Sequence, residues 1–525
     1  MSRHASIFSF RPPYLSRALG CAVLLGFAAC ASTGSSEEAA AAPPGIDILP
    51  GVYPNQLQGT ETNLEVALSA PAEQTLTGLG PLLAYASASL DADAFMLPAL
   101  APVVLRDSNG DGRPEAFASF SIAELRRLGL LGSDTTRLAV SITASNQAVL
   151  RGTDRLFEAD AWLLQMPDPS GALPVGTTSL VVVDASRAGP QGGSRTIALR
   201  LWYPALPANA QPTGYFLDDR EAALNALGNG LPSNVFDRLH TDSHLDAVPD
   251  TSAPRPTLLM STGWTAPVAL YSTLAQDLAS HGYVVIGLSH PDGSGVVVYP
   301  DGSNSGFDPA TPSTDEAVEM WAQDIGFVAE WLASADRSSP GAALPNTLWG
   351  SAPSRAVIAQ VDMQRLGTFA HSLGGAAAVR AAVLSPWLRA SANVDGTFRG
   401  PVLSEGPTTP VLCFLFEGHN SVEGSAVEFA ERGARGAFYS AEVLGAGHNN
   451  FSDQGALVNQ LAKLDAAVLP ADALVGSIDT DRALAIESAL LRAFFGAELS
   501  DEPSPLMSDP AAEFPEVSFV GAARD

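Results

Sequence analysis

The stretch Thr368-Phe369-Ala370-His371-Ser372-Leu373-Gly374-Gly375 joins an apolar run, Leu366 to Phe369, to a run of small residues, Ala376 to Val379. That pattern reads as strand, sharp turn and helix. A serine at such a turn is held in a strained conformation with its hydroxyl projecting above a sheet, and small residues two positions before and after it let strand and helix pass closely. The stretch therefore has the form of a nucleophile elbow, G-x-S-x-G, with Ala370 in the first glycine position. Alanine adds only one methyl where close approach is needed. A serine and glycine at this spacing also occur by chance, so the chemistry must rest on partners elsewhere.

Outward from the elbow, apolar strand-like and amphipathic helix-like segments alternate. Thr257 to Ser261 reads as a strand, Val268 to Ser280 as a helix, Tyr283 to Ser289 as a strand and Asp315 to Ala333 as a long helix. After the elbow come strands at Ala392 to Val394, Val411 to Phe416 and Ala437 to Val443, then a closing helix at Asp481 to Phe495. Alternation of this kind predicts an α/β fold, a mostly parallel sheet with helices on both faces. Ahead of it, Val175 to Thr178, Leu180 to Asp184 and Arg195 to Pro204 read as antiparallel strands opening the same sheet. Residues 205–253, rich in Pro, Asn and Asp, read as an excursion over the sheet that forms a lid or one wall of a pocket.

A serine hydroxyl attacks a carbonyl only when a base takes its proton and an acid orients that base. In an α/β-hydrolase fold the order is Ser, then Asp or Glu, then His. Two histidines follow Ser372: His448, in the loop Gly445-Ala446-Gly447-His448-Asn449-Asn450 after a strand, and His419, the runner-up. His371 adjoins the serine and is expected to point away from it. Asp395 and Glu417 each end a strand and both are candidates for the acid. The oxyanion hole needs two preorganised N–H donors. Leu373, next to the nucleophile, supplies one, and Trp264, in the strand-end turn Ser261-Thr262-Gly263-Trp264, supplies the other.

The whole chain has 525 residues, 46% of them hydrophobic and 16% charged, which predicts a globular protein of more than one domain. Its formal charge of −28 argues against nucleic acid as a partner and against electrostatic docking on anionic lipid. Residues 1–29 read as a signal peptide: Arg3, Arg11 and Arg17 precede an apolar run, Ala18 to Ala29, too short to span a bilayer. The ending Phe27-Ala28-Ala29-Cys30 resembles the bacterial lipobox. It implies export and membrane attachment through a lipidated Cys30, as an outer-membrane lipoprotein, with a periplasmic or secreted protein as the other reading. Residues 30–45 read as a flexible tether, 46–165 as a small β-sandwich-like domain and 498–525 as an acidic, Pro-rich tail lying loosely on the surface. Cys413, inside an apolar run, reads as a buried strand residue. Within the β-rich domain, Asp107-Ser108-Asn109-Gly110-Asp111-Gly112 carries oxygen side chains at alternate positions before a tight turn. Asp107, Asn109 and Asp111 are thus candidate Ca²⁺ ligands, although Ala118 stands where an EF-hand has glutamate.

Several segments together carry a family resemblance over about residues 171–460. They are Val175-Gly176-Thr177, Arg195 to Pro204 with its Leu-Trp-Tyr-Pro ending, Leu278 to Val285, His290-Pro291-Asp292-Gly293-Ser294, the elbow, Val394-Asp395-Gly396 and His448 to Asp453. In these the chain resembles the platelet-activating factor acetylhydrolase family (the type II and plasma group) and its dienelactone-hydrolase-like relatives. The resemblance implies Asp395 rather than Glu417 as the acid, Trp264 as an oxyanion donor, structural roles for His281 and His290, no cofactor for catalysis, and a short-acyl ester or phospholipid as substrate. It departs from the family pattern at Thr262, where histidine is usual, and at Ala370. A polyester or general carboxylesterase, and a non-catalytic surface-binding lipoprotein, are the alternatives.

Overall fold

In a computed structural model the described residues are 164–522, interrupted at 191, 208–211, 229–235, 237–238, 292, 300–302, 309–313, 337–343, 423 and 463–474, together with strands, one helix and a few turn residues between 48 and 158. The signal segment, Cys30 and the candidate calcium ligands Asp107, Asn109 and Asp111 lie outside the described residues.

Strands between Ile48 and Glu158 form one four-stranded and one five-stranded sheet. The rest is built on an eleven-stranded sheet. Its main strands are β1 (Val175–Ala188), β2 (Ser194–Pro204), β3 (Arg255–Ser261), β4 (Val284–Ser289), β5 (Val361–His371), β6 (Ser391–Val394), β7 (Val411–Phe416), β8 (Phe438–Val443) and β9 (Val517–Ala522). They lie in the order β1-β2-β4-β3-β5-β6-β7-β8-β9. β2 runs antiparallel to β1 and β4, and every pairing from β4 to β8 is parallel. This is the mostly parallel sheet that the alternation of segments predicts, in an α/β-hydrolase arrangement.

Parallel strands covered on both faces must be apolar on both, and the alternation along β3 shows it. Leu258 and Met260 join one buried cluster with Leu274 and Leu278 of helix α1 (Ser272–Ser280) and Leu490, Phe494 and Phe495 of helix α4 (Thr480–Ser500). Leu259 between them faces the opposite cluster, with Trp321, Ile325 and Val328 of helix α2 (Thr314–Ser334) and Ala376, Ala377 and Ala381 of helix α3 (Leu373–Leu384). Each large aliphatic side chain buried in this way stabilises by roughly 1.5–3 kcal/mol, so the strands beneath the site are its firmest part.

One element differs from the sequence expectation. Residues 498–525 are not a loose covering throughout: Val517–Ala522 pairs antiparallel with β8 as the last strand of the sheet, Val517 opposite Val443. The segment 205–253 is anchored where described. Tyr215 and Phe216 are buried, the Tyr203 hydroxyl donates to the Ala247 carbonyl at 2.7 Å, and the Arg200 guanidinium donates to the Tyr215 carbonyl at 2.8 Å. Cys413 is a buried free thiol in β7. No helix among the described residues is long and apolar enough to cross a membrane.

Candidate active site

Ser372 sits between the end of β5 and the first turn of α3, with φ +58° and ψ −129°, a conformation L-residues rarely adopt. Close packing leaves it no alternative. A Cβ on Gly374 would lie 2.2 Å from the Thr262 carbonyl oxygen, and one on Gly375 would lie 2.0 Å from Oδ1 of Asn393. The helix therefore approaches the neighbouring strands closely only because both positions are glycine.

The Ser372 hydroxyl is 3.0 Å from Nε2 of His448, whose Nδ1 is hydrogen-bonded to Oδ2 of Asp395. The three residues come from the ends of β5 and β6 and from the loop after β8, 76 and 53 residues apart in the chain. His448 is 42% exposed, whereas the Asp395 carboxyl is fully buried. Burial alone would raise the carboxyl's pKa. Hydrogen bonds from His419 and His448 outweigh it and hold the pKa below the ordinary value, so Asp395 carries its charge. Its backbone has φ +55°, and the turn is locked by Asn393, whose side chain bonds both the N–H and the carbonyl of Gly396 at 2.8 Å.

Of the two carboxylates left open by the sequence, Asp395 meets His448, while Glu417 accepts the Gly445 N–H at 2.8 Å and so ties down the start of the His448 loop. His419 does not meet Ser372. Its Nδ1 lies 2.8 Å from the second oxygen of Asp395, which also accepts the Phe416 N–H at 2.9 Å.

Beneath the site a chain of bonds joins two loops. The Gly263 N–H donates to the Tyr271 hydroxyl at 2.8 Å, the hydroxyl is 3.0 Å from Nδ1 of His371, and Nε2 of His371 is 3.0 Å from the His448 carbonyl. A carbonyl only accepts, so His371 carries its proton on Nε2 and receives the Tyr271 proton at Nδ1. Burial first, then the neighbouring His448, pushes the His371 pKa down to about 3, consistent with a neutral ring. Pointing away from Ser372, as its sequence position suggests, His371 nonetheless packs its ring 4.5 Å from that of His448. Sequence reasoning missed Tyr271, since a tyrosine in an apolar helical run carries no local signal.

Leu373 is the first residue of α3, where a backbone N–H has no acceptor inside the helix. Among the described residues neither it nor the Trp264 N–H has a hydrogen-bond acceptor. The Trp264 ring is fixed against Trp321 and Phe307, with ring centres 5.8 and 5.4 Å away, and Trp321 stacks on His290 at 4.1 Å.

A second Ser–His–Asp geometry lies nearby: the Ser261 hydroxyl is 2.8 Å from Nε2 of His290, whose Nδ1 is 2.8 Å from Asp324. All three side chains are buried, and Arg195 and Arg187 bind the same carboxylate at 2.6 and 2.7 Å. Its charge is thus balanced and its serine closed to solvent. It braces the sheet. The other histidine of the family pattern, His281, is 3.0 Å from the Ser170 hydroxyl, remote from the site.

Residues 162–309 match the family model described as platelet-activating factor acetylhydrolase, isoform II. Over that stretch the chain is similar to these acetylhydrolases. The matched stretch includes Trp264 and His290 and ends before Ser372. A protein of Arthroderma benhamiae described as a probable 1-alkyl-2-acetylglycerophosphocholine esterase is 27% identical over 295 residues, 53% of this chain and 68% of that one. Among solved structures, a ferulic acid esterase from Streptomyces cinnamoneus superimposes with a TM-score of 0.56 at 27% identity, covering 68% of this chain and 99% of its own. With the acetylhydrolase match, these likenesses make the chain a carboxylic ester hydrolase and set aside the reading as a binding scaffold.

Proposed function

We propose that the protein hydrolyses short-acyl esters, including acetylated phospholipids, through Ser372, His448 and Asp395. The observation that carries the reading is the 3.0 Å contact between the Ser372 hydroxyl and a half-exposed His448 that is itself bound to a buried, charged Asp395. Ser372 Oγ attacks the ester carbonyl while His448 Nε2 takes its proton. The resulting oxyanion is held by the Leu373 and Trp264 N–H groups. His448 returns the proton to the leaving alcohol as the C–O bond breaks, leaving an acyl-serine. Water, deprotonated by the same nitrogen, then releases the acid and restores the serine. Asp395 holds the imidazole in the required tautomer and offsets the charge it acquires. Each proton and each charge in these steps has a protein group assigned to it, so catalysis is proposed to use no cofactor.

The short acyl chain is supported by the acetyl ester in the name of the Arthroderma relative. The name of the Streptomyces esterase favours a second reading, a general carboxylesterase with an aromatic acyl group. The deciding experiment measures hydrolysis of p-nitrophenyl esters of increasing acyl length, an acetylated phospholipid and a methyl hydroxycinnamate, by the protein and by Ser372→Ala. The proposal expects acetate to be best and Ser372→Ala to retain only weak residual catalysis. Equal inertness of both proteins on every ester would refute it. The same proposal extends to export with attachment through Cys30, tested by palmitate labelling of Cys30→Ala, and to Ca²⁺ at Asp107, Asn109 and Asp111, tested by the effect of chelation on melting.

A further inference from the structure

Asp395 has two oxygens and only one of them meets His448. The other, Oδ1, receives the Phe416 N–H at 2.9 Å and Nδ1 of His419 at 2.8 Å. His419 opens a short helical turn just after β7, is 2% exposed, and packs edge-on against Phe416 with ring centres 5.3 Å apart. Its remaining nitrogen, Nε2, is buried and without a partner among the described residues. A buried imidazole with one unpartnered nitrogen keeps its place because the other makes a strong bond.

We propose that His419 is a positioning residue, whose Nδ1–H and the Phe416 N–H together clamp Oδ1 of Asp395 so that Oδ2 alone is presented to His448. The inference rests on the reading of Asp395 as the orienting acid. Its physical basis is the asymmetry of the site. His448 is 42% exposed and its Nδ1 is bonded to Asp395, so the ring's orientation depends on the carboxylate; the carboxylate in turn can rotate about its Cβ–Cγ bond unless one oxygen is pinned. Phe416 supplies one donor from the backbone, and His419 supplies the second from its side chain. The unpartnered Nε2 follows from the same assignment. A carboxylate oxygen accepts only, so the proton of His419 sits on Nδ1 and the lone pair of Nε2 faces the apolar surroundings.

Two variants separate bonding from packing. His419→Leu keeps apolar bulk and removes the donor, whereas His419→Asn places an amide N–H near the position of Nδ1. Expected for His419→Leu is a fall in kcat of about tenfold or more with KM within about twofold, because the base is misaligned but substrate binding is not. His419→Asn should recover most of that loss. In the unmodified protein, ¹⁵N-histidine spectra should show His419 in the Nδ1–H tautomer. An Nε2–H tautomer, a fully active and folded His419→Leu, or an Asn variant as impaired as the Leu variant would each overturn the inference. The spectrum stands whether or not any variant folds. Inertness of the unmodified protein on all esters would instead count against the proposed function, so the two failures are distinguishable.

Discussion

Tyr271→Phe removes a single oxygen, yet that oxygen is the hinge between the two loops of the site. It accepts the Gly263 N–H and donates to His371, which in turn supports the carbonyl of His448. Tyr271 is 3% exposed, so water does not readily replace it. Phenylalanine would leave a buried N–H without an acceptor and a buried imidazole nitrogen without a donor, each costing about 1–3 kcal/mol before relaxation. Taking roughly 3 kcal/mol in total, and an unfolding entropy of about 2.1 cal/mol/K per residue over roughly 330 residues, the melting temperature should fall by about 4 °C. Activity should fall further than stability suggests, because Gly263 adjoins the Trp264 N–H. Losing one oxyanion donor outright costs about 10²–10³ in kcat, so a displaced donor should cost about tenfold. The assay is thermal melting followed by circular dichroism, beside kcat and KM on p-nitrophenyl acetate. Unchanged kcat with a melting temperature within about 1 °C of the parent would show that the hydrogen-bonded chain carries neither load.

Three further outcomes are expected. Asp453 is buried, receives the Tyr215 hydroxyl at 3.0 Å and the Thr273 N–H at 3.2 Å, and burial pushes its pKa up to about 7. The folded state thus holds this proton more tightly than the unfolded chain, and the stability linked to it is full below about pH 4 and lost as pH rises towards 7; Asp453→Asn should flatten that dependence in melts from pH 4 to 8, and an unchanged slope would refute the assignment. Gly374→Ala should fail to fold or lose activity, since the clashing atom is a backbone carbonyl that cannot swing aside; soluble protein of parental activity would contradict the close packing at the elbow. Burial raises the pKa of the Cys413 thiol, so peptide mapping after alkylation of native protein at pH 8 should find it unmodified, and modified once the protein is unfolded.

The elbow was legible because its signal is local: apolar β5, a polar stop and small residues in α3 sit next to one another. β7 was legible for a similar reason, as Val411 to Phe416 is an unbroken apolar run between turn residues. β9 was not, because its short alternation Val517-Ser518-Phe519-Val520 lies in Pro- and acid-rich surroundings and its partner is about 75 residues earlier, so nothing nearby distinguishes it from a surface segment. Ser372 and His448 were singled out from chain order and loop chemistry, and the structure brings them within 3.0 Å. The choice between Asp395 and Glu417 could not be made from the residues alone, since both end parallel strands and only the tertiary arrangement decides which faces His448. His419 was read as a spare base. Its bond to Asp395 depends on where the chain turns after β7, which side-chain type does not reveal.

The positive φ angles of Ser372 and Asp395 lie at the ends of adjacent strands, and the two turns are interlocked. The Ser372 N–H donates to the Val394 carbonyl at 2.8 Å, the Asp395 N–H to the Phe414 carbonyl at 2.6 Å, and a Cβ on Gly396 would lie 2.1 Å from the Ser372 carbonyl oxygen. Neither turn can relax without parting β5, β6 and β7, so relief of the strain is a sub-global opening and not a local fluctuation. Deuterium should therefore enter the amides of Ser372 and Asp395 as slowly as it enters the strand centres. The nucleophile and the acid then form one fixed frame, against which the base is set from the loop after β8.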